Sequence, residues 1–212
     1  MRVVKQSECD ITEISSALLR GETLIYPTET CYGLGCDATN QQAVDRIYDI
    51  KKREEGKPMI MLVPTVEMAK QYIVWNDVIE QFANTYWPSY ARGATEDKPR
   101  PVTLVAQAKQ DAGLADGIVS KDGTVAIRVT AHPFASELAT ALGRPLVSTS
   151  ANLAGGENPY DIETVQKTLG MGNVQPDLAI DAGVLPKTKP STIVRVKDGI
   201  LEVLRKGEVV IG

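Results

Sequence analysis

Histidine is nearly absent from this sequence: 212 residues contain one, His132. That scarcity removes a Ser-His-Asp apparatus from consideration. The three cysteines, Cys9, Cys31 and Cys36, are an odd number without a CxxC spacing, so a protein zinc site is not supported either. No GxxxxGK[ST] phosphate loop occurs, and no GxGxxG follows a strand, so the two commonest nucleotide folds are unsupported. Apolar runs such as Met59 to Val63 are far too short to span a bilayer, and Met1 to Asp10 carries no apolar stretch of the signal-peptide kind. A cytoplasmic protein with no membrane role is expected. His132 itself precedes Pro133 at the start of a predicted helix, where capping or a surface position is the ordinary role.

What is present describes a globular chain. Hydrophobic residues make up 43% and charged residues 24%, and no Pro- or Ser-rich linker divides the sequence, so residues 1–212 are read as a single domain. The net charge of −4 argues against a general nucleic-acid binder, although a local basic groove is compatible with it.

Element types alternate along the chain. Asp10 with Glu13 forms a capping signal, Ile11, Ile14, Leu18 and Leu19 recur at helical spacing, and Gly21 supplies a stop. Thr23 to Thr28 reads as a strand, and Thr28 to Gly35 as a loop whose glycines permit a close backbone approach. Gln41 to Lys51 is a helix on which Lys51 falls within about 40° of Ile47, so it projects with the apolar face and must snorkel or line a groove. Pro58 to Val63 is a buried strand, Thr65 opens a third helix, and Asn76 to Tyr86 is a fourth.

Ser89 to Arg100 has no periodicity and reads as an excursion, either a surface loop or a lid carrying Arg92, Lys98 and Arg100. Strands are predicted at Val102 to Ala108, Gly123 to Thr130, Pro145 to Ser150 and Leu178 to Asp181, with helices at Pro133 to Leu142 and Asp161 to Leu169. Thr192 to Val196 and Ile200 to Leu204 pair across Lys197-Asp198-Gly199 as a hairpin. Early alternation followed by a closing hairpin predicts an α/β fold with a twisted mixed parallel/antiparallel sheet flanked by helices.

The chemistry-bearing residues sit at element ends. Lys51, Arg53, Lys57, Arg128 and Arg205 are candidate cations, and Ser148, Ser150, Asn152 and Ser191 are neutral donors. Cations and hydroxyls without His, Cys or paired carboxylates suit electrostatic stabilisation of a transferring phosphoryl or nucleotidyl group better than acid-base or covalent catalysis.

The segments Tyr26 to Gly35, Lys51-Lys52-Arg53 with Lys57-Pro58, Val125 to Val129, Ser148 to Asn152, Pro190 to Ile193 and Leu204 to Gly207 resemble the successive signatures of the YrdC-like family, the threonylcarbamoyl-AMP synthases. They fall in the family's order and span almost the whole chain. The resemblance implies a deep ligand groove and a nucleotidyltransferase that joins L-threonine, bicarbonate and ATP, with release of pyrophosphate, toward threonylcarbamoyladenosine in tRNA. It implies a catalytic tetrad of Lys51, Arg53, Ser150 and Asn152. ATP contacts would come from Arg53, Lys57, Thr124, Ser150, Asn158 and Arg205, and threonine contacts from Thr30, Arg128, Ser148 and Ser191. Mg²⁺ would arrive with ATP instead of in a protein cage. Downstream threonylcarbamoyl-transferase proteins, and tRNA itself, are the implied partners.

Three departures from the family pattern stand out: Glu54 directly after Arg53, Leu62 in place of a family histidine, and the Ser89 to Arg100 excursion. Two rival readings are a non-catalytic double-stranded RNA-binding module, which the net charge opposes, and a related carbamoyl-transfer domain. The latter expects acylphosphatase and zinc-finger-like units that do not fit in this chain.

Overall fold

The computed structural model describes residues 1–54, 59–87, 101–197 and 199–212. Among the described residues, ten strands form one sheet: β1 (Arg2–Lys5), β2 (Leu24–Pro27), β3 (Tyr32–Gly35), β4 (Ile60–Val63), β5 (Val102–Gln107), β6 (Thr124–Val129), β7 (Leu146–Ser150), β8 (Leu178–Asp181), β9 (Thr192–Lys197) and β10 (Ile200–Arg205). Their order is β1-β8-β2-β3-β7-β4-β6-β5-β9-β10. The pairs β1–β8, β2–β8, β4–β6 and β5–β9 are parallel, and the remaining neighbours are antiparallel. The mixed sheet expected from the element alternation is therefore present.

The helices are α1 (Ile11–Leu19), α2 (Gln41–Lys51), α3 (Val66–Tyr72), α4 (Asp77–Tyr86), α5 (Pro133–Leu142) and α6 (Ile162–Leu169). Their starts follow side-chain chemistry. Asp10, Asn40, Thr65, Asn76 and Asp161 each accept a backbone N–H of the first turn at 2.7 to 3.1 Å, satisfying a donor that the helix itself leaves unpaired. His132 does the same for α5, its Nδ1 accepting from Ala135 N–H at 3.5 Å, as the capping role required.

Apolar side chains sort the helices onto the two sheet faces. Val44 and Ile47 of α2, Ala69 of α3, Phe82 of α4 and Val165 of α6 pack with Met61, Leu104, Ile127 and Val147. Ile14 and Leu18 of α1 and Phe134 and Leu138 of α5 pack with Tyr26, Leu62 and Leu146 on the other face. Burying each such aliphatic or aromatic side chain contributes about 1.5–3 kcal/mol, enough for the patterning to dictate the layers. On the second face, Ile60 precedes Leu62 by two residues and points the same way; it packs against this layer and also lines a cavity.

Two expectations need correction. The segment after Thr28 is not all loop, because Tyr32–Gly35 is a strand that pairs antiparallel with β2 and contacts β7. Its glycines serve that packing: a Cβ on Gly35 would lie 2.2 Å from the Val147 carbonyl oxygen. The strand β1 was also not anticipated. It joins β8 through Val3 and Ala179, far apart in sequence. The Ser89 to Arg100 excursion lies outside the described residues, as does Asp198 of the hairpin turn. Next to the excursion, Trp87 Nε1 donates to the Val102 carbonyl at 3.0 Å, tying the flanking elements together.

Candidate active site

A cavity of about 830 Å³ opens over the part of the sheet face that α1 and α5 leave uncovered. The period-2 alternation of β6 makes its floor: Thr124, Ala126 and Arg128 face the cavity, while Val125, Ile127 and Val129 join the core behind. Thr30, Arg53, Ser148, Ser150, Asn158, Ser191 and Arg205 complete the set of sequence-selected residues along its wall. The three selected arginines, Arg53, Arg128 and Arg205, thus share one concavity with five selected hydroxyl side chains from β6, β7 and the loops before β3 and β9. Lys57 lies outside the described residues.

Lys51 and Asn152 occupy a different place from Arg53 and Ser150. Lys51 is 2% exposed, and its ammonium donates to the Ser150 carbonyl at 2.5 Å, the Asn152 carbonyl at 2.7 Å and Asn152 Oδ1 at 3.2 Å. An ammonium has three donors, and these contacts employ all of them. Burial, reinforced by the neighbouring Arg53 charge, pushes the Lys51 ammonium down to about 8. Asn152 Oδ1 also accepts from Ser150 Oγ at 2.7 Å, and its Nδ2 donates to the Gly156 and Glu157 carbonyls at 2.6 and 3.0 Å. Lys51 and Asn152 are therefore a clamp behind the wall that fixes the turn from Ser150 to Asn158.

The end of α2 explains how adjacent residues face opposite ways. Lys52 adopts φ +49°, a left-handed conformation rare outside glycine, and Arg53 N–H returns to the Tyr48 carbonyl at 3.0 Å. The reversal leaves Lys51 in the core and delivers Arg53 to the cavity.

Other contacts join the two predicted subsites. Arg205 donates through Nε and Nη2 to the Ser191 carbonyl at 3.0 and 2.7 Å, and through Nη2 to Ser191 Oγ at 2.9 Å. Ser191 Oγ lies 3.1 Å from Thr103 Oγ1, a residue that sequence reasoning missed. Thr30 is set by Thr28, whose Oγ1 lies 3.1 Å from Thr30 Oγ1 and donates to the Cys31 carbonyl at 2.7 Å.

Thr124 is held by Asp122, which accepts its hydroxyl at 2.7 Å and its N–H at 3.2 Å, as well as the Ser120 hydroxyl. These bonds hold the Asp122 carboxyl down at about 2. Ser120, Lys121, Asp122 and Arg195 also line the cavity. They lie in a turn and on the closing hairpin, with no local motif to mark them. Leu62, the departure noted in the sequence, is fully buried on β4 directly opposite Arg128 of β6, where it packs against the α1–α5 layer.

Comparison with known proteins places this arrangement among relatives. The family model described as telomere recombination, covering the Sua5, YciO and YrdC proteins, matches residues 16–207. The threonylcarbamoyl-AMP synthase of Aliivibrio fischeri is 32% identical over 198 residues, 93% of this chain and 99% of that protein. The crystal structure of Sua5 from P. abyssi complexed with L-threonine superposes with a TM-score of 0.81 at 26% identity. The match covers 97% of this chain and 57% of that one. E. coli YciO superposes at 0.77 with 26% identity, covering 93% of this chain and 88% of its own.

Proposed function

The chain belongs to the Sua5, YciO and YrdC family, and from that premise we propose that it is an L-threonylcarbamoyladenylate synthase. It would join L-threonine, bicarbonate and ATP into threonylcarbamoyl-AMP and pyrophosphate. The observation that carries this reading is the convergence of Arg53, Arg128 and Arg205 with Thr30, Thr124, Ser148, Ser150, Asn158 and Ser191 on one cavity, from segments spread along the whole chain. The cavity falls within the size range of ligand sites that enclose small molecules.

The chemistry explains the residue types. Threonine nitrogen and bicarbonate condense to a carbamate with loss of water, and the carbamate oxygen then attacks the α-phosphorus of ATP as pyrophosphate departs. The nucleophile is thus made from substrates, so the protein supplies position and charge. Arg53 and Arg205, beside Ser150, Asn158 and Thr124, would bind the nucleotide and stabilise charge building on the transferring phosphoryl group. Removing one such stabiliser typically lowers turnover by about 10²–10³-fold. Arg128 would hold the threonine carboxylate with its planar fork, with Thr30, Ser148 and Ser191 around the rest of the amino acid. The clamp of Lys51 and Asn152 acts through Ser150, as a positioning pair.

Mg²⁺ would come with the triphosphate and keep most of its waters. The oxygen donors Ser120, Asp122 and Thr124 on the wall suit outer contacts to such a hydrated ion. The product would pass to threonylcarbamoyl-transferase proteins acting on tRNA in the cytoplasm. No helix among the described residues is long and apolar enough to cross a membrane.

The direct test is pyrophosphate release by purified protein with ATP, Mg²⁺, bicarbonate and each amino acid in turn. Release should require both threonine and bicarbonate, with serine a weak substitute, because one methyl discriminates by only ~1–3 kcal/mol. Release independent of both would overturn the assignment.

A further inference from the structure

Behind Arg128 lies a carboxylate to which the proposed reaction assigns no role. Glu29 and Arg128 both have side chains only 4% exposed, and Arg128 Nη2 stands 3.5 Å from Glu29 Oε2. That separation exceeds the 2.7–2.9 Å of a charge-assisted hydrogen bond. Consistent with it, Glu29 Oε2 and Arg128 Nε are both buried without a hydrogen-bond partner. Leaving a buried charged group so poorly satisfied is costly, and native structures retain such groups where another requirement overrides stability.

Neighbouring hydroxyls hold Glu29 in place. Thr130 Oγ1 donates to Glu29 Oε1 at 3.1 Å and accepts the His132 N–H at 3.2 Å. The Thr188 hydroxyl bonds the Glu29 and Thr30 carbonyls at 3.2 and 3.1 Å, so the backbone is pinned as well. Arg128 lines the cavity, whereas Glu29 lies behind it.

We propose that Glu29 is the positioning residue for Arg128, aiming its guanidinium at the amino-acid carboxylate and reserving it from the nucleotide phosphates. This rests on the reading of Arg128 as the carboxylate-binding residue. Two physical effects support it. The Glu29 carboxylate stands beside Nη2 without closing a hydrogen bond, so it orients the guanidinium by charge and leaves its N–H groups for a planar, bidentate ligand. The Glu29 charge also offsets that of Arg128, so a compact triphosphate in the same cavity is drawn toward Arg53 and Arg205 instead. Glu29 touches no substrate in this scheme and acts only through Arg128.

The test is calorimetric binding of L-threonine, L-threonine amide and ATP to the intact wild-type protein and to Glu29→Gln. The variant should weaken L-threonine about 10-fold, leave the amide, which lacks the carboxylate, within about twofold of wild type, and bind ATP no more weakly than wild type, since Arg128 then carries an unopposed charge. Thr130→Val, which removes the hydroxyl holding Oε1 while keeping the shape of the strand residue, should shift affinity the same way by a smaller factor. It keeps the test open if Glu29→Gln fails to fold. Unchanged threonine affinity in folded variants, or equal weakening of threonine, its amide and ATP, would overturn the positioning role. Arg128→Gln separates the two claims. If wild type prefers threonine to the amide and Arg128→Gln keeps that preference, Arg128 does not bind the carboxylate, and the reading beneath the proposal fails together with it.

Discussion

Replacing Lys51 by methionine sets two comparable energies against each other, and their balance predicts a dissociation of stability from activity. Depression of the Lys51 ammonium from 10.5 to about 8 means that the charged form is disfavoured in the folded protein. At about 1.4 kcal/mol per unit, this amounts to about 3 kcal/mol. Little discount for solvent screening is needed, because the side chain is 2% exposed. Methionine removes that penalty but takes its donor from the Asn152 carbonyl, at about 1–3 kcal/mol, while the Ser150 carbonyl still accepts the Asn152 N–H at 2.8 Å. Asn152 Oδ1 keeps its bond from Ser150 Oγ. The terms nearly cancel, so unfolding free energy should change by less than about 2 kcal/mol. Turnover should nevertheless fall by about 10²-fold, because the turn carrying Ser150 loses its anchor and a small misplacement of reacting groups costs that much.

The same group gives wild type a distinctive pH response. Because its folded pKa of about 8 lies below the unfolded 10.5, the unfolded chain binds more protons between those values, and stability should rise with pH across that window. Activity should fall over the same window, since a neutral amine has two donors for three acceptors. Steady-state pyrophosphate assays from pH 7 to 10, paired with urea unfolding at each pH, measure both. A Lys51→Met protein with wild-type kcat, or a wild-type rate that stays flat while stability climbs, would refute the clamp.

Arg53→Ala should lower kcat by about 10²-fold or more with Tm unchanged, because the side chain reaches the cavity and not the core; normal turnover would return it to an ordinary helix-end residue. Arg128→Lys should raise KM for threonine more than for ATP, a split that initial-rate kinetics measures, since one ammonium replaces a planar fork. Gly35→Ala should abolish folded expression or destabilise by several kcal/mol, about the upper end of overpacking costs, because its Cβ would meet the Val147 carbonyl at 2.2 Å. Lys52→Gly should stabilise by about 1 kcal/mol, read by thermal unfolding, by relieving a left-handed non-glycine residue.

Local chemistry was legible wherever it is decided locally. The capping side chains Asp10, Thr65, Asn76 and Asp161 set helix starts where the sequence placed them, because the cap bond spans only two or three residues. The hairpin of β9 and β10 was equally plain from its turn residues and flanking apolar runs. By contrast, β3 read as loop because glycine is a poor strand former in isolation, and β1 passed unnoticed because a short segment holding Arg2 and Lys5 shows no buried face. β1 exists because the distant β8 supplies its hydrogen-bond partners, and β3 because it is held between its sequence neighbour β2 and the distant β7.

The sequence by itself determined the layered mixed sheet, most element bounds and the identity of the polar residues that gather at the cavity, since periodicity and side-chain chemistry are carried by the chain. It also placed Lys51 on the apolar face of its helix. Only the tertiary structure decided what that placement means: the ammonium finds its acceptors at Asn152, 101 residues away, and becomes a clamp while Arg53 turns into the cavity. Likewise, nothing near Glu29 in sequence foretells Arg128 across the sheet. Hydrogen bonds and charge pairs act over a few ångströms of space, and strand order, which no local pattern encodes, sets which residues come within that reach.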